Sequence, residues 1–94
     1  MSTQRSWTAI VLEALKELRA HERAVSVGEL YEAVKKIAPA ECDDKNAYAH
    51  VDRRGRRRVE PRWKRNARDA LLKLKRRGMV SREGRNAWRL VSTP

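Results

Sequence analysis

Several residue types with distinctive chemistry are scarce in this sequence. Its 94 residues include one cysteine, two histidines and no phenylalanine. The single cysteine, Cys42, excludes an internal disulfide, and together with His21 and His50 it lacks the paired spacing of a zinc site. No apolar run is long enough to cross a bilayer, and no segment resembles a signal peptide. We therefore expect a soluble, intracellular protein without a metal or another cofactor.

Motifs of catalysis are missing as well. The sequence has no Gly-rich phosphate-binding loop and no G-x-S-x-G nucleophile elbow. His50 has no convincing partner residue for work as a general base. The sequence therefore predicts no catalytic residues and no enzymatic activity.

Acidic residues are nearly missing from one quarter of the chain. Residues 1–52 have 7 basic and 9 acidic side chains, residues 53–77 have 13 and 2, and residues 78–94 have 3 and 1. The formal net charge of +11 is thus concentrated in residues 53–77. Such an excess is typical of proteins that neutralise phosphates and release counterions, although an acidic membrane surface could attract it too. The run RRGRRR at residues 53–58 also has the composition of a nuclear localisation patch.

Hydrophobic periodicity predicts two helices in the first half of the chain. Apolar positions at helical spacing indicate a helix over about residues 7–20, with Ser6 as its N-cap. Ser26 and Glu29 form an S-x-x-E capping box at the start of a second helix, which Pro39 ends.

The second half is predicted to contain a third helix and a β-hairpin. Apolar residues on one face indicate a helix over about residues 61–77, which Gly78 ends. Residues 79–91 have the pattern of a hairpin with its turn at residues 83–86. The run at residues 24–27 could add one edge strand.

Residues 39–60, between the second and third helices, carry no long periodic pattern. We expect a long loop here, with one short helix through Ala47, Tyr48 and Val51, followed by a flexible basic arm at residues 53–58. The arm either follows a groove or the phosphate backbone of a nucleic acid, or is an unspecific charge tail. Both alternatives predict a steep dependence of binding on salt.

Three helices followed by a hairpin are the plan of the winged helix-turn-helix. We therefore predict a mainly α fold with a small β-hairpin, of the α+β class, in a single domain spanning residues 1–94. Residues 1–5 and 92–94 are expected to be flexible. In this fold the third helix enters the major groove of DNA, and the hairpin, or wing, touches the backbone or the minor groove.

The segments EPRWKRNARDALLKLKRRGMV, AWRL and SVGELYEAV resemble the winged-helix N-terminal domain of Mrr-type restriction proteins. The stretch from SWTAIVLEAL through GELYEAV is also similar to HARE winged-helix modules. The resemblance to Mrr-type proteins implies DNA binding, with a preference for methylated or otherwise modified DNA, in a restriction or defence system. Those proteins carry a nuclease domain beside this one, for which 94 residues leave no room. We therefore expect either a stand-alone reader or a fragment that lacks its nuclease or effector domain.

The outward face of the third helix supplies about half of the candidate DNA contacts. These are Arg62, Lys64, Arg65, Asn66, Arg68, Asp69 and Arg76. The forked donors of arginine suit guanine edges and phosphates. Asn66 would either read adenine or satisfy local backbone groups. Asp69 would accept from a cytosine amino group or, as we favour, orient Arg65 or Arg62.

The other candidate contacts lie outside the third helix. They are Arg53, Arg54, Arg56, Arg57 and Arg58 in the arm, Arg82 and Arg85 in the wing, and Tyr48. Tyr48 is the candidate for base stacking or for contact with a modified base. The three tryptophans are expected in the core because the chain has no phenylalanine to fill it; they are Trp7, Trp63 and Trp88.

The sequence thus predicts a protein that binds double-stranded DNA as a monomer or weak dimer. Its expected place is the cytoplasm, with the nucleoid, or the nucleus if the source is eukaryotic. A sequence-blind architectural or regulatory protein, an RNA-binding protein and a protein-interaction winged helix are the alternatives. A sequence-specific reader would retain a preference of about 1–3 kcal/mol per correct base pair, which an architectural protein would lack.

Overall fold

The computed structural model describes residues 6–91, apart from the side chain of Tyr48. The ends expected to be flexible, residues 1–5 and 92–94, lie outside the described residues. The elements in chain order are α1 (Trp7–Glu17), α2 (Val27–Ile37), a 3₁₀ turn (Pro39–Glu41), β1 (Ala47–Val51), β2 (Arg57–Pro61), α3 (Arg62–Arg76), β3 (Val80–Gly84) and β4 (Ala87–Leu90). The two pairs of strands form separate antiparallel sheets, β1 with β2 and β3 with β4. The architecture is therefore α+β, as predicted.

One apolar core holds the three helices together. Its largest fully buried side chains are Ile10, Leu15, Leu30, Leu71, Leu74, Val11, Val25 and Val34. Trp63 and Trp88 are buried, and Trp7 packs half-buried against the same cluster. The prediction that all three tryptophans face the core is confirmed. No polar or charged residue is buried among those that the structure describes.

The capping signals in the first half act as the sequence predicts. The Ser26 hydroxyl accepts a hydrogen bond from the backbone N–H of Glu29 at 3.1 Å, and the Glu29 carboxylate accepts from the Ser26 backbone, which completes the capping box. Helix α1 ends at Glu17, earlier than predicted. The helix ends because Arg19 turns into the left-handed region at φ 58°, and the Ala20 N–H donates to the Leu15 carbonyl at 2.9 Å.

Helix α3 ends just before Gly78, as the sequence predicts. Gly78 adopts φ +74°, and the N–H of Met79 donates to the Leu74 carbonyl at 2.9 Å. This pattern closes the last turn of the helix, and the positive φ suits a residue without a Cβ. The chain then enters the hairpin of β3 and β4, here called the second hairpin. Its existence and limits agree with the predicted hairpin over residues 79–91.

The predicted edge strand at residues 24–27 is reduced to one bridge. Val25 donates to and accepts from Trp88 of β4, with N···O distances of 2.8 and 2.9 Å. This bridge fixes the second hairpin against the helical core.

The prediction of a loop with a short helix for residues 39–60 is wrong. Ala47, Tyr48 and Val51 lie in strand β1, which pairs with β2 in the register Ala47 to Pro61 and Val51 to Arg57. We call β1, β2 and their turn the first hairpin. Ahead of β1, the Asp43 carboxylate accepts the N–H of Lys45, two residues on, in a local turn. Only the turn at Pro39–Glu41 is helical within these residues.

Candidate nucleic-acid interface

Helix α3 separates an apolar face from a basic one. Its buried side chains are Trp63, Ala67, Ala70, Leu71 and Leu74. The predicted contact residues that are exposed on α3 are Arg62, Arg65, Asn66, Asp69 and Arg76. Since these two sets fall on opposite faces, the packing that buries the core also turns the basic face toward solvent.

Arg68 departs from the outward position that the helical period predicts. Its guanidinium makes a two-pronged contact with the Glu60 carboxylate of β2, one prong measuring 2.9 Å from Nη1 to Oε2. Nη1 also donates to the hydroxyl of Tyr31 in α2 at 3.0 Å. The side chain is only 39% exposed, and the bond with Glu60 raises the pKa of Arg68 further above its ordinary range. Arg68 therefore joins the first hairpin to α2 and α3.

The start of α3 is held by a second polar contact. The indole N–H of Trp63 donates to the Asp44 carboxylate at 2.8 Å, and Lys35 of α2 pairs with the same carboxylate at 3.1 Å. The hydrogen bond from Trp63, followed by that from Lys35, holds the pKa of Asp44 below its ordinary value. Tyr31 packs edge-on against Trp63 with ring centroids 5.5 Å apart. These contacts fix the angle at which α3 leaves the first hairpin.

Lys64 is half-buried beside this contact. Its ammonium lies 5.3 Å from the ring centre of Tyr31 and 5.7 Å from that of Trp63. The candidate residue therefore sits at the edge of the basic face, where its charge is held over two aromatic rings.

Asp69 lies near Arg65, one of the two arginines that we expect it to orient. Its carboxylate lies 3.8 Å from Nε of Arg65, one helical turn away, and both side chains are 55% exposed. Asn66 is exposed on the flank of α3 that faces Ser6 and Thr8, where it lines a shallow cleft of about 200 Å³ with Asp69. Arg62 uses its backbone N–H to donate to the Asn46 carbonyl at 2.9 Å. That bond closes the base of the first hairpin.

The arginines at residues 53–58 form the tip of a hairpin, and the predicted flexible arm is wrong in this respect. The Asp52 carboxylate accepts the backbone N–H groups of Arg54 and Arg56, both at 2.9 Å. Gly55 adopts φ +76° in the third position of the turn, a conformation common in three-residue hairpin loops. The Asp52 carboxylate also lies 3.0 Å from Nε of Arg58. These bonds, led by that from the Arg56 backbone, hold the pKa of Asp52 below its ordinary value.

The arginines of this tip remain exposed although the tip is ordered. They are Arg53, Arg54, Arg56, Arg57 and Arg58. The remaining candidate in this region, Tyr48, lies in β1 opposite Glu60, and its side chain is outside the described part of the chain.

The second hairpin uses one of its two candidate arginines to build its own turn. Arg82 donates to the carbonyls of Gly84 and Arg85 at 3.1 and 2.9 Å, and its guanidinium lies over the Trp88 ring at 5.8 Å. Arg85 is exposed at the turn. Asn86 accepts the N–H of Val27 at 3.2 Å, which ties the turn to the start of α2.

A cleft separates the second hairpin from α3. It has a volume of about 380 Å³, and its lining includes Arg68, Leu72, Arg82 and Arg85. Arg68 therefore stands between the two hairpins, bonded to the first and facing the second. It links α3 to the first hairpin by its bond to Glu60 and to the second hairpin by the cleft that it lines with Arg82 and Arg85.

The residues that organise this surface escaped the sequence analysis. Glu60, Asp52, Asp44 and Tyr31 were not among the candidate site residues, yet each holds a basic or aromatic group of the interface in place. One signal in the sequence could have indicated Glu60. It is one of only two carboxylates within residues 53–77, the other being Asp69.

Residues 6–91 show no sign of a metal site or of a membrane-spanning helix. No three His, Cys, Asp or Glu side chains stand together as metal ligands in that range. Within it, no helix has the length and apolar character needed to cross a membrane. Cys42 is buried, and this burial raises the pKa of its thiol. In comparisons with protein-family models, curated proteins and solved structures, nothing matched the chain.

Proposed function

We propose that this protein binds double-stranded DNA through the outward face of α3, in the manner of a winged helix-turn-helix. The observation that carries the proposal is the segregation of charge. Residues 53–77 carry 13 basic and 2 acidic side chains, and the basic ones cluster on α3 and on the tip of the first hairpin. A merely solvated face mixes both signs, whereas a surface of one sign attracts a polyanion and gains by releasing its counterions.

The arrangement of elements supports the winged-helix part of this proposal. Three helices precede the second hairpin, which lies beside α3 and would serve as the wing. The bridge from Val25 to Trp88 supplies the short strand ahead of α2 that would extend the wing sheet. One departure is the first hairpin, since it replaces the short turn that usually joins the second and third helices.

In this proposal α3 lies in the major groove and Arg85 of the wing contacts the flanking backbone. Arg65 is the strongest candidate for a base contact, because its exposed guanidinium is aligned by Asp69. Arg62 and Arg76 would contact phosphates toward the two ends of the helix. Arg68 would act by positioning the surface, since Glu60 and Tyr31 already occupy its guanidinium.

The proposal is tested by titrating a labelled duplex at several salt concentrations with two variants of equal charge. The first replaces Arg62, Arg65 and Arg76 of α3 by Gln. The control replaces three exposed cations on α1 and its following turn and on α2 by Gln: Lys16, Arg19 and Lys36.

If Arg62 and Arg76 each neutralise one phosphate, the slope of log K against log salt falls by about two in the first variant, and the loss of the Arg65 base contact lowers the affinity further. The control variant should keep a slope close to that of the unchanged protein. Equal slopes in the two variants would contradict the proposal, because only the net charge would then matter. A set of duplexes of random sequence distinguishes a specific reader from an architectural protein, and a structured RNA competitor tests the RNA alternative.

A preference for methylated or otherwise modified DNA is a second, separate part of the proposal. It is supported by the resemblance to Mrr-type proteins in residues 26–34 and 60–80. The test compares one duplex sequence in methylated and plain form. Identical titrations would remove this part and leave DNA binding itself untouched.

A protein-interaction role has one observation in its favour. The end of α1 and one side of α2 line a cleft of about 470 Å³, where Glu17, Glu29 and Glu32 outnumber the one cation, Lys36. This acidic surface is separate from the basic face of α3. A protein partner bound there would be retained by the α3 variant that loses DNA binding.

A further inference from the structure

The first hairpin has two chemically different faces. In an antiparallel pair, residues opposite each other lie on the same face of the sheet. One face carries Glu60, which bonds to Arg68 and therefore looks toward α3. The opposite face carries Ala49 paired with Val59, and Val51 paired with Arg57. Val51 and Val59 thus point away from the core of the protein, on the same face as Ala47, Ala49 and Pro61.

The valine side chains on this outer face are unusually exposed to solvent. Val51 is 68% and Val59 67% exposed, the highest values among the large hydrophobic side chains of the described residues. A valine in a two-stranded ribbon ordinarily packs against something, because single hairpins are marginal in water. The face therefore calls for a partner that fits both its shape and its charge.

The first hairpin is held rigidly enough to present that face in one direction. Its base is closed by the bond from Arg62 to Asn46, and its inner face is pinned by the Glu60 contact with Arg68. Its tip is closed by Asp52. Strands of five residues extend about 17 Å at roughly 3.3 Å per residue. The tip therefore lies about 17 Å from the base of the hairpin, where α3 begins.

Positive charge surrounds the valines and limits what can cover them. Arg57 shares their face, and Arg53, Arg54 and Arg56 lie at the tip. A second copy of the chain would bring two such arginine clusters together, which costs free energy by repulsion. An anionic bilayer would suit the charge, but amphipathic helices that lie in bilayer interfaces bury Trp, Phe or Leu, and the apolar side chains of this face are short.

A groove of duplex DNA matches both the exposed valines and the positive charge around them. Its walls are the apolar edges of the sugars, and its rims are phosphates. Half a turn of B-DNA is about 17 Å, given a repeat of about 34 Å, so a ribbon of this length beside a helix in the major groove reaches the adjoining minor groove. Narrow minor grooves of A·T-rich sequence also attract arginine most strongly.

We infer that the first hairpin is a second DNA-contacting element, which seats Val51 and Val59 against the sugars of the minor groove next to the major groove that α3 enters. Arg53 and Arg54 of the tip enter that groove. The inference rests on the proposed function and adds the minor groove as a second site of contact, through apolar contacts with the sugars. It also adds a sequence preference, because the DNA beside the α3 site should be rich in A·T pairs.

The test uses the double variant Val51→Thr with Val59→Thr, because threonine keeps the branched shape and the strand propensity while exchanging a methyl for a hydroxyl. The control is Val91→Thr, an exposed valine beyond the first hairpin. Both proteins are titrated with two duplexes that share one core and differ in an A·T-rich or G·C-rich flank. Sedimentation and binding to phosphatidylserine vesicles are measured in parallel.

We expect the double variant to bind the A·T-flanked duplex about tenfold more weakly, at roughly 0.8 kcal/mol for each methyl removed from the sugar wall. Its salt slope should stay unchanged, because no phosphate contact is lost. The flank preference should vanish, both in this variant and in Arg53→Gln with Arg54→Gln. The Val91→Thr control should behave like the unchanged protein.

Several outcomes would overturn the inference. If the double variant and the unchanged protein bind both duplexes alike, the hairpin does not contact the groove, while loss of binding in the α3 variant would still uphold the proposed function. Loss of vesicle binding alone would assign the face to a membrane, and a changed sedimentation coefficient alone would assign it to a second copy. If the unchanged protein binds no duplex, the proposed function and this inference fail together.

Discussion

Among the ion pairs of the described residues, the contact between Glu60 and Arg68 should contribute most to the free energy of unfolding. Its side chains are 19% and 39% exposed, which places the pair between a surface and a buried one. Replacing Glu60 by Ala leaves the Arg68 guanidinium half-buried, with the Tyr31 hydroxyl as the remaining acceptor shown for it. The first hairpin would also lose its side-chain bond to α3.

The magnitude follows from that exposure. An exposed ion pair contributes about 0.2–1 kcal/mol, and removal of one partner of a buried pair costs about 3–5 kcal/mol. A two-pronged pair with partial exposure should lie between these limits, so we expect Glu60→Ala to lower the free energy of unfolding by about 2 kcal/mol. In a domain of this size that corresponds to a fall in Tm of roughly 8–16 °C.

The assay is urea unfolding of Glu60→Ala, Arg68→Ala and the double variant, which isolates the coupling energy of the pair. The control is Asp69→Ala, which removes a carboxylate that also faces an arginine but is 55% exposed. We expect about 0.3 kcal/mol for the control, as for other helical pairs one turn apart. A coupling energy between Glu60 and Arg68 of about 0.5 kcal/mol or less would refute the reasoning, since it would equal that of an ordinary surface pair.

Two further predictions concern the ends of elements. Arg19→Gly should raise the free energy of unfolding by about 0.5–1 kcal/mol, because Arg19 sits at φ 58° and glycine adopts that region without strain. Arg19→Ala, measured by the same urea unfolding, should give no such gain. Asp52 has a pKa below its ordinary 3.8, so its stabilisation of the first hairpin is fully present above that pH and is lost as the pH falls through the lower folded value. Amide chemical shifts of Val51 and Val59 followed from pH 5 to 2 should report this loss, and Asp52→Asn should remove that pH dependence; an identical transition in both proteins would exclude Asp52 as its cause.

The helices were predictable from the sequence because their signals are local. The capping box at Ser26 and Glu29, the proline at position 39 and the glycine at position 78 each act within a few residues of the chain. The error at the end of α1 has the same origin. Leu18 and Ala20 continue the apolar pattern in sequence, but they reach the core from a turn and not from a helix.

The first hairpin was not predictable in the same way. Its strands have five residues each, and their apolar side chains, at Ala47, Ala49, Val51 and Val59, lie on the exposed face, so they give no sign of packing against the core. What fixes the strands is a set of contacts distant in sequence, above all the bond between Glu60 and Arg68 and that between Trp63 and Asp44. Hydrophobic periodicity carries no information on such contacts. The predicted helix through Ala47 failed for this reason.

The few carboxylates of the basic region explain how so much positive charge can be held in a defined shape. Asp52 bonds the backbone and the arginines of the first hairpin, Glu60 bonds Arg68, and Asp69 faces Arg65. An arginine that is already oriented loses less side-chain entropy when it meets a phosphate or a guanine. Each pairing also lowers the repulsion between neighbouring cations in the unbound protein. The carboxylates in and beside residues 53–77 are therefore few, and each lies next to an arginine. They are enough to orient these arginines but too few to neutralise the positive charge of the surface.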